Sequence, residues 1–348
     1  MNWHSFLKWF LGTLAGTLLF LIAALWVVDP YGNLPGSPPF ERTAMASNQR
    51  FSYPAVARDQ RFDSAVVGTS TTRLLEPAAL NKTLGGRFAN LSMNSATFYE
   101  QARLFEVFRR AHEVPKTVII GLDIVWCSSN AKLPKYTFRR FPEWMYDADP
   151  WNDLAHMFEF KSFEVLGRQA AYLLGLKAAK YGPDGYANFL PPDSEYDLQK
   201  ARKHIYGEKG PRPRIVPVPP VFVPAQTRAA WTYPSHADLQ DMLASLPAET
   251  RKILFFVPYH IINQHVRGTA GFAHWQECKD RVTRIVAPLD NAVLLDFMIE
   301  SPLTSRDENY WDPLHYNGAV AETVSRLIAR GAENGQAPSG EFVILDPM

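Results

Sequence analysis

The sequence predicts an α/β fold: a three-layer α/β/α sandwich on a mostly parallel sheet of about five strands, behind an N-terminal transmembrane helix. Three observations predict it. Short β-branched runs recur along the chain, helical patterns separate them, and the first 28 residues carry a single lysine and no acid. The runs at 65–67, 87–91, 117–120, 253–257 and 292–295 each have the length of a strand buried on both faces. Helical patterns fall at 99–112, at 236–246 behind an N-cap at Ser235, at 273–286, and at 319–330 after Gly318. Strand alternating with helix argues for parallel pairing with right-handed crossovers.

The N-terminal run LGTLAGTLLFLIAALWVV, residues 11–28, has about the length that crosses a bilayer. Trp9 and Trp26 lie near its ends, where indole rings favour the membrane interface. A cleaved signal peptide is the rival reading, but the stretch is long for one and no small-x-small cleavage site precedes Asp29. A retained single-pass anchor is therefore expected. Lys8 precedes the span and Asp29 is the first charge after it, so the N-terminus is expected in the cytoplasm and the remainder outside it.

The expected organisation is an anchor at 1–30, a linker at 31–60 and one α/β domain at 61–348, with an insertion at about 128–234. The linker is rich in Pro and Ser and shows no sustained period. Within the insertion, residues 158–180 read as one long helix, with Phe160, Phe163, Leu166, Ala170, Leu173 and Leu174 as a core-facing stripe. The proline-rich stretch PRPRIVPVPPVFVP follows and is expected to be extended. Residues 200–214 hold seven basic side chains, counting His204, and read as a solvated loop or a contact for anionic headgroups or glycan. The insertion suits a lid, a substrate platform or a partner surface.

Lys+Arg is 36 against 35 Asp+Glu, a net charge of +1, so no global field attracts nucleic acid and none is expected as a partner. An exported compartment would permit a disulfide between Cys127 and Cys278, although two buried free thiols are the plainer expectation. His260, His265 and His274 lack a completing Cys or carboxylate at familiar ligand spacing, so no metal and no other cofactor is expected.

Active sites of parallel sheets sit at the carboxyl ends of strands. The first strand leads into Gly68-Thr69-Ser70, which lets the chain turn sharply and places Ser70 at a helix start, where free N–H groups can hold an oxyanion. Near the other end of the chain, Asp312-Pro313-Leu314-His315 precedes the last helix. Asp and His three apart on a loop can pair a carboxylate with one imidazole nitrogen and leave the other to take a proton from serine. Arg73, one turn past Ser70, is a candidate for binding a carboxylate or orienting the site. His260, at the end of the fourth strand, is a candidate for the same cleft.

These blocks, in this order, resemble the SGNH (GDSL-like) hydrolase superfamily. Gly68-Thr69-Ser70 resembles its first block, with Ser70 as nucleophile; residues 90–97, NLSMNSAT, resemble the second; Gly121-Leu122-Asp123 the third; and Asp312-Pro313-Leu314-His315 the last. The resemblance spans about 61–330 outside the insertion. It implies an SGNH/flavodoxin-like sheet, a Ser70-His315-Asp312 triad, and oxyanion or substrate contacts from Asn94 and Ser95. Three departures stand out. Thr69 replaces the usual Asp, Ser95 stands where the family has its oxyanion glycine, and Asp123 (or Leu122, if the match shifts by one) stands where the family supplies Asn. A carboxylate there would repel an oxyanion unless protonated or turned away. With the anchor, the resemblance narrows to periplasm-facing SGNH-like proteins. These imply a serine esterase or O-acetyltransferase on an envelope or extracellular polysaccharide, working beside a membrane-bound acyltransferase. A non-catalytic glycan-binding or scaffold protein is the alternative.

Overall fold

The computed structural model describes residues 2–130, 132–335, 337 and 340–346. All five predicted strands form: β1 (Ser64–Val67), β2 (Phe88–Asn90), β3 (Thr117–Leu122), β4 (Arg251–Phe256) and β5 (Ala292–Asp296). A sixth, β6 (Val343–Ile344), was not predicted, because two residues carry no legible period. The order is β2-β1-β3-β4-β5-β6, with the first five parallel and β6 antiparallel to β5. Every residue of β1, β2 and β3 is buried, which accounts for their mostly apolar character, with Ser64, Asn90 and Thr117 as polar ends. The order reverses between β1 and β3, and the carboxyl edge at such a switch point is where α/β sheets place their ligands.

Eleven α-helices are present among the described residues. They are α1 (Trp3–Val28), α2 (Gln49–Arg58), α3 (Pro77–Leu84), α4 (Phe98–Ala111), α5 (Asp153–His156), α6 (Phe160–Leu173), α7 (Leu198–Tyr206), α8 (Ala225–Ala230), α9 (Ser235–Ala244), α10 (Ala270–Val286) and α11 (Gly318–Asn334). Helix α3 packs with α11, and α4 with α9. A capping box between Thr97 and Glu100 starts α4. Ser235 lies inside α9 instead of capping it, because its hydroxyl donates to the Trp126 carbonyl. Cys127 and Cys278 are joined in a disulfide, which corrects the expectation of free thiols. It ties the turn after β3 to α10.

The chain divides into two compact units, and the division does not follow the expected insertion. One unit comprises 57–140 and 184–348 and contains the sheet. The other comprises 1–56 and 141–183.

In that second unit, α1 is long and apolar enough to cross a membrane. The segment read as a linker is not a plain tether. Asp29 accepts hydrogen bonds from the N–H groups of Asn33 and Leu34, and Arg42 donates to the terminal carbonyls of α1 at Val27 and Val28. Helix α2 then forms despite an internal Pro54. A proline there removes the bond to the carbonyl four residues back, and the Tyr146 hydroxyl supplies the missing donor to Arg50 at 2.8 Å. Helix α6 is shorter than predicted. It ends at Leu173 because Gly175 turns left-handed, with φ of 71°. Its fully buried residues are Ser162, Val165 and Gln169; of the expected apolar stripe, Phe163, Leu166, Ala170 and Leu173 are half-buried and Phe160 and Leu174 exposed.

Two glycines set how closely the turn after β1 approaches the sheet. A 3-10 turn at Thr72–Leu74 lies over the ends of β1 and β3. A Cβ on Gly121 would come within 2.9 Å of both Thr72 Cβ and Cγ2, and one on Gly68 within 2.6 Å of Thr72 Cβ. Gly121→Ala is therefore expected to lower stability by about 1–3 kcal/mol through overpacking, read as a fall in the denaturant midpoint.

Candidate active site

The first component is the turn after β1. Its chain leaves the strand at Gly68, and Arg73 N–H closes the turn on the Thr69 carbonyl at 3.0 Å. The second component, after β2, stays in register with it. Leu91 N–H donates to the Val66 carbonyl and Met93 N–H to the Gly68 carbonyl, so Asn94 and Ser95 arrive beside the Ser70 turn. Ser95 has φ of 54°, the left-handed region that a glycine would occupy without strain. Arg73 joins the two turns through a 3.1 Å bond from Nη1 to Asn94 Oδ1.

The loop before α11 completes the group. Asp312 Oδ1 accepts from the Leu314 and His315 N–H groups at 2.8 and 3.0 Å. Asp312 Oδ2 lies 2.7 Å from His315 Nδ1, and His315 Nε2 lies 2.8 Å from Ser70 Oγ. With Nδ1–H donating to Asp312, Nε2 is left to accept the Ser70 proton. Burial pushes the Asp312 carboxyl up, but the His315 hydrogen bond and charge, with the two backbone donors, outweigh it and hold it below its ordinary value. Ser70 and His315, 245 residues apart in sequence, are thus joined with Asp312 in one hydrogen-bonded chain.

Other bonds fix that loop against the Ser70 turn. Tyr316 Oη donates to the Thr71 carbonyl at 2.9 Å, and Thr71 Oγ1 to the Leu314 carbonyl at 3.2 Å. The His260 N–H holds the Pro313 carbonyl at 3.0 Å.

His260 itself requires a correction. Its ring is fully buried, with Nδ1 accepting from the Ile262 N–H and Nε2 facing Asp307 Oδ1 at 3.2 Å. Both nitrogens are engaged away from Ser70, and burial lowers the ring's pKa against the pull of Asp307. The residue braces the loop and takes no place beside the Ser70–His315 pair.

Asp123 is buried and turned beneath the Ser70 turn. Its Oδ2 accepts a hydrogen bond from Thr69 Oγ1, and its Oδ1 accepts from the Val125 N–H at 3.1 Å. Burial raises its carboxyl to about 6 despite those bonds. Thr69 and Asp123, two of the three departures noted in the sequence, are therefore each other's partners.

Phe189 carries no signal legible in the sequence. Its ring meets His315 edge-on, with centroids 5.4 Å apart, and the Arg73 guanidinium lies over it at 4.8 Å. It belongs to an irregular, proline-flanked stretch where no period marks it. The basic segment at 200–214 also differs from the expected loop. Its first seven residues lie in α7, and Arg202 and Tyr206 bond Asp307 at 2.7 and 2.6 Å. Among the described residues, no group of three or more His, Cys, Asp or Glu is arranged to hold a metal ion.

A scan against protein-family models and a search of curated proteins find nothing that matches this chain.

Proposed function

We propose that this protein is a membrane-anchored, periplasm-facing serine esterase or O-acyltransferase of the SGNH kind. It acts on acyl esters, chiefly acetyl, of an envelope or extracellular polysaccharide. The observation that carries the reading is the His315 ring held between Ser70 Oγ and Asp312 at 2.8 and 2.7 Å.

In this reading His315 Nε2 takes the Ser70 proton as Oγ attacks the ester carbonyl. Backbone N–H groups at Ser70 and Ser95 hold the oxyanion, and Asp312 stabilises the imidazolium. The leaving alcohol takes the proton from His315, and the acyl group remains on Ser70. Water or a sugar hydroxyl, deprotonated by the same ring, then accepts it. The buried Cys127–Cys278 bond supports an oxidising compartment, and α1 supports an anchor. The α3–α11 and α4–α9 pairs support helix layers on both faces of the sheet. An exported esterase or transferase of this type would work beside a membrane-bound acyltransferase that supplies or shares its acyl groups.

A fluorophosphonate probe tests the reading, since it reacts only with an activated serine. Labelling of the wild type that disappears in Ser70→Ala, and falls at least about 100-fold in rate in folded His315→Ala, is expected. Failure of folded wild type to label would favour a non-catalytic glycan-binding or scaffold protein.

A further inference from the structure

We propose that α6 is an interfacial helix, whose outward apolar face lies in the headgroup–acyl boundary of the bilayer that α1 crosses. The proposal rests on α1 spanning the bilayer, and is independent of the chemistry at Ser70.

The helix is amphipathic in an unusual sense. Toward its own unit it buries Ser162, Val165 and Gln169, two of them polar. The other side carries Phe160 and Leu174, 86% and 73% exposed, with Phe163 and Ala170 half-buried between them at helical spacing. A soluble surface would reverse that pattern, since an apolar stripe normally faces the core. Lys161, Glu164 and Arg168 form a charged strip beside the apolar one, where headgroups would meet them. Trp151 and Leu176, 75% and 77% exposed, extend the apolar surface beyond the two ends of the helix.

The position of α6 identifies the occupant. Helix α1 is exposed along its length except near its C-terminal end, where Leu25 is buried and α6 packs against it. Immediately beyond, Tyr31 Oη lies 3.2 Å from Ser162 Oγ in the first turn of α6, and the Tyr31 ring packs on Trp144. The apolar face of α6 thus begins where the spanning helix leaves the hydrocarbon. Apolar faces of interfacial helices lie about 5–10 Å into that boundary, so a lipid surface is continuous with both elements.

The test uses full-length protein carrying single cysteines labelled with an environment-sensitive fluorophore, in vesicles of phosphatidylcholine and phosphatidylglycerol in equal parts. The native cysteines are bonded to each other. Labels go at Leu174 and Phe163 on α6, at Leu14 in α1, and at the exposed Val218 of the sheet-containing unit. The proposal predicts that labels at Leu174 and Phe163 are quenched by spin-labelled acyl chains about threefold or more above Val218, and are protected from aqueous iodide. Quenching at Leu14 with iodide-accessible labels at both α6 positions would overturn the proposal alone, and would assign the face to a protein partner. No quenching at Leu14 would overturn the spanning assignment of α1 and the proposal with it.

Discussion

Asp312→Asn is expected to lower turnover of an acetyl-ester reporter by on the order of 10⁴-fold while leaving the fold intact. The reason lies in which side of the carboxylate is already occupied. Oδ1 accepts two backbone N–H groups, from Leu314 and His315. An asparagine must place its carbonyl oxygen there, because an amide NH2 would face two donors. The NH2 group then points at His315 Nδ1, 2.7 Å from the present Oδ2. Nδ1 becomes an acceptor, the ring proton moves to Nε2, and Nε2 donates to Ser70 instead of taking its proton. The variant keeps every neighbour and loses the base. Its circular dichroism and melting temperature should stay close to wild type while kcat collapses. A loss of less than about tenfold would show that His315 does not depend on Asp312 for its tautomer.

The second large effect concerns stability and pH. The carboxyl of Asp123 is raised from 3.8 to about 6, chiefly by burial. Between those values the folded protein holds a proton that the unfolded chain has released. Stability attributable to this group therefore falls as pH rises from about 4 through about 6, and stays low above that. The shift corresponds to about 3 kcal/mol at neutral pH, from roughly 1.4 kcal/mol per pH unit. Asp123→Asn removes the cost. Its amide can accept from the Val125 N–H and donate to Thr69 Oγ1, which keeps both present partners. Urea unfolding should find the variant more stable than wild type by about 3 kcal/mol at pH 7.5 and nearly equal to it at pH 4. Equal gains at both pH values would mean that Asp123 does not titrate as described.

Much of this arrangement is legible in the sequence because its signals are local. Five strands are legible as short apolar runs, since burial on both faces keeps polar residues to their ends. Ser70 stands out by its glycine-led turn after a strand, and Asp312 and His315 by their spacing before a helix. What could not be read depends on partners distant in sequence. The Thr69–Asp123 pair spans 54 residues, and each member looks like a defect when considered alone. His260 follows a strand just as an active-site residue would, and only Asp307, 47 residues on, shows that it is a brace. Helix α6 misled for a different reason. Periodicity reports that a helix has an apolar face but not what covers it, and here the buried side is Ser162, Val165 and Gln169. Helix α2 within the 31–60 segment was not legible, because the hydroxyl that supports it around Pro54 comes from Tyr146, far along the chain.

The central claim is that Ser70 is a nucleophile that carries an acyl group, and peptide mass spectrometry after brief exposure to an activated acetyl ester tests it most directly. The account predicts an acetyl adduct on the peptide containing Ser70 in the wild type, greatly diminished in His315→Ala and absent from Ser70→Ala. Folded wild type that gains no adduct at Ser70, or gains it equally without His315, would contradict it.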